Sequence, residues 1–260
     1  MFWEELSWLK LSEVDLQTPV IIPLGACEQH GRHLPLGVDT CQVAEIARRV
    51  EANLGPRVLC LPTLWLGSSS HHQDFPGTLS LLPSLYAQVI QELTRSILES
   101  GFKRLLFLNG HGGNKAPVTN ALTELVAEDD DAYLALASWW EIGLPSPQKI
   151  GLSQPVMSHA CEYETSLMLV LRPDLVDLSQ AKHHPPVLDN TWFHSEDDSR
   201  KRVSVFRRFH RFTADGSLGR PEEGTAEKGQ AILESVTEQL VAFLSDFQSW
   251  PELSPLGPKK

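Results

Sequence analysis

TPVIIPLGACEQHGRHLPLGVDT, residues 18–40, decides how the rest of the chain is read. Its first eight residues form a short apolar run that stops at Gly25, the length and ending of a buried strand leading into a loop. The loop from Ala26 to Val38 is polar and rich in histidine. Asp39 or Thr40 then caps a helix to about Ala52, with Val43, Ile46, Ala47 and Val50 on one face. The alternation repeats outward. Val58 to Leu61 is a second apolar run, ahead of GSSSHHQDFPGT. Ser84 begins an amphipathic helix carrying Leu85, Val89, Leu93 and Ile97, with Gly101 at its C-terminal cap. Arg104 to Leu108 is a third strand, running into NGHGGN (Asn109 to Asn114). A helix to about Glu128 and a fourth strand, Ala132 to Ala137, follow. Strands alternating with helices predict an α/β fold, three layers deep, with a mostly parallel central sheet.

The second half is looser. Residues 141–158 carry Pro145, Pro147 and Pro155 and read as a loop or lid. Cys161 to Leu171 reads as a helix ended by Pro173, and residues 183–222 as mostly irregular with one hairpin. About Glu223 to Phe247 is a long amphipathic helix. Without an internal repeat or low-complexity linker, one domain over residues 1–260 is expected.

Composition excludes several classes. No apolar run reaches the roughly 18 residues of a membrane span, and MFWEELSWLK lacks the basic and apolar regions of a signal peptide. Cys27, Cys41, Cys60 and Cys161 form no C-x-x-C pair, which suits a reducing, cytoplasmic setting. A formal charge of −11 argues against a nucleic-acid partner. The exception is a basic cluster, Lys201, Arg202, Arg207, Arg208 and Arg211, interleaved with Phe206, Phe209 and Phe212. Alone it suggests RNA; in this acidic chain a solvated face or a subunit contact is preferred.

Ligands of open α/β sheets bind at the carboxyl ends of the strands. The loops there carry EQHGRHLPLGVD, GSSSHHQDFPGT, NGHGGN and SWWE, so histidines and acids gather where a site is expected. Imidazole and carboxylate are the ligands of Zn²⁺, Mn²⁺ or Fe²⁺ in a catalytic site with an open position. Singly, Asp39 reads as a helix cap and Glu28 as a turn residue; with His30 on one loop after a buried strand, the metal reading prevails. The glycines around His111 allow close backbone approach, and a phosphate loop is excluded by the missing G-K-[ST] ending. Glu162 and Glu164 diverge on a helix, so one acid at most faces the site. Glu164 can equally serve the helix dipole, and His159 a cap. His71 and His72 are expected to point apart, with His72 the candidate for substrate contact.

Together these segments resemble the creatininase family of metal-dependent amidohydrolases. The resemblance rests on PLGACEQHGRHLPLGVDT, FPGTLSL (Phe75 to Leu81), NGHGGN and HACEYETSLML (His159 to Leu169). RPDLVDL, HHPP and the glycine-punctuated run from Gly219 to Gly229 match too, so it spans about residues 18–245. It implies a creatininase-like fold and two divalent metal ions per chain. Glu28, Asp39 and His111 would hold one; His30, Asp39 and an acid would hold the other, with Asp39 bridging. In creatinine-hydrolysing members that acid lies two residues after the N-G-H histidine, where this chain has Gly113. Relatives with N-G-H-G-G-N look as though they use the E-T-S-L glutamate, here Glu164. The family's catalytic histidine corresponds to His159 and its pocket tryptophan to Trp140. Ser158 stands where creatininase has an acid, and Gln154 falls near a second tryptophan. Members act on creatinine, formamides or a cyclic inosose, or in maturation of a peptide-derived cofactor. The implied reaction is hydrolysis of a C–N bond in a small cyclic amide or formamide by a metal-activated water, in a homo-oligomer, a hexamer. The departures predict that creatinine is not the best substrate, with Gly112 and Gly113 leaving room for something larger.

Overall fold

Four short stretches rich in aliphatic side chains pair side by side. The computed structural model describes residues 1–128, 130–144, 146–196, 201–252 and 257; Pro145 of the expected loop lies outside them. Strands β1 (Val20–Leu24), β2 (Leu59–Cys60), β3 (Arg104–Asn109) and β4 (Tyr133–Ser138) are all parallel, in the order β2-β1-β3-β4. Ile22 lies opposite Phe107, and Leu24 opposite Asn109. Successive side chains of a strand face opposite ways, and both faces of this sheet are covered. Ile21, Leu106 and Leu108 enter one core; Val20, Ile22, Leu24, Leu105 and Phe107 enter the other.

The helices are α1 (Trp8–Leu11), α2 (Val38–Leu54), α3 (Pro83–Glu99), α4 (Lys115–Leu125), α5 (Trp139–Ile142), α6 (Glu162–Leu171) and α7 (Ala226–Phe247). Helices α2, α6 and α7 pack together on the first face, and α3 with α4 on the second. Crossover handedness explains the split. β1 leads through α2 to β2 on one side, while β3 leads through α4 to β4 on the other. Right-handed crossovers in opposite directions put their helices on opposite faces. The outcome is the three-layer α/β/α arrangement expected.

Two local expectations change. α2 begins at Val38 after Gly37, so neither Asp39 nor Thr40 is its cap. Asp39 faces two histidines, and the Thr40 hydroxyl donates to the Ala26 carbonyl at 2.9 Å. α3 buries Tyr86, Ala87, Ile90 and Ile97, leaving Leu82, Leu85 and Val89 exposed. The helix carries two apolar stripes, and the core takes the one with the larger aromatic side chain. Residues 183–222 are irregular as expected among those described, with one antiparallel bridge inside the segment, Asp189 to His194, and another from Leu218 to His159.

Candidate metal centre

The strand order reverses between β1 and β3, so the chain leaves their carboxyl ends in opposite directions and a crevice opens there. The two loops are tied across its floor. Gly110 N–H donates to the Leu24 carbonyl at 2.8 Å, and the Asn114 amide to the Gly25 carbonyl at 3.0 Å. A side chain at Gly110 would meet the Asp39 carbonyl at 2.9 Å, so only glycine permits this approach.

The β1 loop brings Glu28 and His30, α2 brings Asp39, the β3 loop brings His111, and α6 brings Glu164. All are at least 95% buried. Asp39 points one oxygen each way: Oδ1 is 3.2 Å from His30 Nε2, and Oδ2 is 3.4 Å from His111 Nδ1. Glu28 Oε1 lies 3.2 Å from His111 Nδ1, and Glu164 Oε1 lies 3.7 Å from His30 Nε2. Among the described residues, three groups have ligand atoms close enough to share a metal ion: Glu28–Asp39–His111, His30–His159–Glu164 and Glu28–His72–His159.

Several of these atoms are orphaned. Both Glu28 oxygens, His30 Nε2, Asp39 Oδ2 and Glu164 Oε2 are buried with no hydrogen-bond partner. Burying such groups without compensation is unfavourable by several kcal/mol each for charged ones, so the donor set suits divalent cations. Without metal, protons supply the positive charge. Burial disfavours a charged His111, but Glu28 and Asp39 outweigh it and hold the imidazole up to about 10. His30 is likewise raised by Asp39 and Glu164 against its burial. Burial raises Glu164, with His30 partly offsetting it, whereas His30 and His111 overcome burial and keep Asp39 well below the usual carboxylate range.

Backbone carbonyls fix the ring orientations. A carbonyl only accepts, so His30 donates through Nδ1 to Glu28 O (3.1 Å) and His111 through Nε2 to Ser68 O (3.1 Å). Each turns its other nitrogen to the carboxylates, the usual outer-shell device of metal-binding histidines. Gln29 does the same for two further rings. Its amide oxygen accepts from Gly31 N–H at 3.0 Å, and its nitrogen donates to Gly216 O at 3.0 Å. His159 Nε2 donates to Gln29 O at 2.8 Å, so the remaining amide hydrogen goes to His72 Nδ1 at 2.8 Å. His159 therefore turns the unprotonated Nδ1 inward, 3.7 Å from Glu28 Oε1. Burial, then neighbouring charged imidazoles, push both His72 and His159 well below the ordinary value, so both are neutral. Ala160, next to His159, holds φ +49°, a left-handed conformation that a non-glycine residue adopts at a cost of order 1–3 kcal/mol.

A cavity of about 210 Å³ opens onto these groups, walled by Trp140, Met157, Ser158, His159, Phe209 and Leu218. His72 also lines it, with Nε2 3.3 Å from Glu28 Oε1. His71 lines it too, because Ser70–His72 is a 3₁₀ turn and the adjacent rings sit 4.3 Å apart rather than diverging. Glu162 turns away: it accepts from Ser153 and Gln154 N–H and pairs with Lys228 Nζ at 2.7 Å. Gln154 also faces away, with Oε1 accepting from Arg220 N–H at 3.0 Å; Met157 occupies the cavity wall instead. Gly112 meets open space, but Gly113 leaves no room, since a Cβ there would lie 2.2 Å from the Ser68 carbonyl.

Sequence reasoning missed Gln29, the Ser68–Ser69 pair that orients His111, and the Ser195, Lys201 and Phe209 that enter the cavity from the irregular segment. Gln29 had a signal, as a polar residue wedged between two candidate ligands. The others had none, lying in stretches without periodicity.

The family model described as Creatininase: Creatinine amidohydrolase matches residues 4–244. The chain belongs to the creatininase family. It is 31% identical over 231 residues to a creatinine amidohydrolase of Pseudomonas putida, covering 83% of this chain and 84% of that one. It is also 31% identical over 261 residues to a mycofactocin precursor peptide peptidase of Mycobacterium tuberculosis (strain ATCC 25618 / H37Rv), covering 95% and 93%. Solved creatininase structures, one a manganese form and one a mutant of Zn–Zn type, share the fold with TM-scores of 0.78 and 0.79. Identities are 28% and 29%, over 95% of this chain and 98% of theirs. Creatininase relatives thus carry zinc or manganese, the metals suited to this chain's own donor set.

Proposed function

We propose that this creatininase-family chain, acting as one catalytic domain in the cytoplasm, hydrolyses a C–N bond of a small cyclic amide or formamide other than creatinine. The observation that carries the reading is the set of orphaned, buried ligand atoms on Glu28, His30, Asp39 and Glu164. Glu28, Asp39 and His111 would hold one divalent ion and His30, Asp39 and Glu164 a second, with Asp39 common to both. When bound, the ions supply Lewis acidity, acidifying a water and drawing electrons from the scissile carbonyl.

The remaining work belongs to the chain. His159 receives a proton at Nδ1, the nitrogen left bare by its Nε2–H bond to Gln29 O, and delivers it to the leaving nitrogen. Trp140 and Met157 cover the substrate and exclude water. The glycine at 113, the serine at 158 and the averted Gln154 argue for a pocket that differs from the creatinine enzymes. Likeness to the mycobacterial peptidase supports a second reading, an amide derived from a peptide. Self-association, as a hexamer by family resemblance, is supported by the exposed Leu82, Leu85 and Val89 stripe on α3. Light scattering would test it, a 29.0 kDa particle counting against it.

The deciding experiment assays zinc- and manganese-loaded protein against creatinine, formamides, cyclic amides and short peptides. A non-creatinine amide is expected to have the best kcat/KM, with His159→Ala lowering kcat about 10²–10⁴-fold at unchanged metal content. Creatinine equalling the best of the panel, at about 10⁴ M⁻¹s⁻¹ or above, would overturn the substrate reading. Turnover of no amide would overturn the reaction.

A further inference from the structure

The basic, phenylalanine-rich segment has no part in the chemistry above, yet it roofs the cavity. Asp74 grips it from outside, pairing with Arg208 at 2.6 Å and His210 at 2.7 Å. That anchors Phe209 between them, its ring 4.1 Å from His72 and 4.7 Å from His159. Phe193 stacks on Phe212 at 5.9 Å, and Lys201 Nζ lies 5.4 Å from the Phe193 ring centre. Both Ser195 and Lys201 line the cavity from this roof. Ser195 is 4% exposed, and its hydroxyl makes no hydrogen bond among the described residues. An unpartnered buried hydroxyl is unfavourable unless a ligand completes it.

Charge points to the ligand. Lys201 is the one lysine or arginine among the described residues lining the cavity. Residues 195–211 hold six lysines and arginines against three acids, in a chain of net charge −11. Concentrating positive charge at the mouth of a cleft raises the local concentration of anions there.

We infer that Ser195 and Lys201 form an anion-binding subsite in the roof, and that the amide cleaved at the metal centre carries a carboxylate remote from the scissile bond. The inference rests on the amidohydrolase reading but shifts its substrate class from small cyclic amides and formamides to N-acylated amino acids or related acidic amides. Ser195 donates through its hydroxyl and Lys201 through its ammonium, both charge-assisted bonds to the carboxylate. The Trp140 and Phe209 walls enclose the part of the substrate between carboxylate and amide.

The test is calorimetric titration of zinc-loaded protein with N-benzoylglycine and with its neutral counterpart, N-benzoylglycinamide. The acid is expected to bind at least about tenfold more tightly at low ionic strength, the gap shrinking with added salt. Lys201→Met is expected to bring the two within about threefold, Ser195→Ala to narrow the gap in part, and Lys201→Arg to preserve it. Zinc content equal to the parent shows that each variant keeps the centre. Equal affinities, no binding of the acid at millimolar concentration, or a preference that survives Lys201→Met would overturn the subsite. The last would place the carboxylate on the metals. If the binding pattern holds while neither compound nor any other acidic amide is cleaved, the reaction reading fails and the subsite stands.

Discussion

Glu162 and Glu164 sit two residues apart on α6, are equally buried, and should fail in opposite ways when changed to glutamine. Glu162 Oε1 is 2.7 Å from Lys228 Nζ, fastening α6 to α7, and its oxygens hold Ser153 and Gln154. Breaking a buried pair costs about 3–5 kcal/mol. The low end applies because Lys228 is 15% exposed and also donates to Glu223 O. At roughly 2–4 °C per kcal/mol for a chain near this size, Glu162→Gln should lower Tm by about 6–12 °C and leave metal content unchanged. Glu164 is raised by burial, so its charge opposes the metal-free fold as pH rises, and a neutral amide relieves that. Glu164→Gln should therefore lose one of two bound ions without destabilising the metal-free protein. Calorimetry and elemental analysis on the same preparations decide. Metal depletion in Glu162→Gln with full occupancy in Glu164→Gln would refute the assignment, and parallel loss of both properties in each would show only a damaged helix.

Asp39→Ala should lose both ions, since its two oxygens face His30 and His111 separately; retention of one ion by elemental analysis would refute bridging. Gln29→Glu cannot donate to His72 Nδ1, so that nitrogen should become protonated in the metal-free protein, and ¹⁵N imidazole shifts unchanged from the parent would count against the proposed network. His111 titrates near 10 without metal, so below that pH an incoming ion must displace its proton. Affinity should rise about tenfold per pH unit for each proton displaced, and calorimetry in buffers of different ionisation enthalpy that finds no proton release would refute this. By the same shift, upward from an ordinary 6.5, the metal-free fold should lose stability as pH rises from about 6.5 toward 10.

Much of the fold was legible because the strands are continuous apolar runs and Gly25 and Gly101 mark real ends. The exposed stripe on α3 was not, because periodicity tells that a helix has an apolar face but not which of two offset faces the sheet covers. Within the site, Glu28, His30, Asp39 and His111 could be gathered from the loops at strand ends, whereas His159, just ahead of α6, was picked out only by resemblance. Choosing between Glu162 and Glu164 needed resemblance, since both are equally placed in a helix start; the contacts that distinguish them, Lys228 and the Ser153 and Gln154 amides on Glu162 against His30 beside Glu164, come from elsewhere in the chain. The roof was invisible for a different reason. Phe209 and Lys201 are positioned by Asp74 and Phe193 rather than by regular structure, and no local pattern encodes such long-range anchors.

The crowding at Gly113 limits how this pocket can be altered. At that position even the first carbon of a side chain would press into the Ser68 carbonyl, His111 and His71. A single exchange at Gly113 could not place a further side chain there, because the Ser68 carbonyl and the His71 and His111 rings would first have to withdraw. Variation in what the pocket accepts therefore falls to the residues of its roof and walls, Trp140, Met157 and Phe209 among them, where side chains meet the cavity rather than backbone.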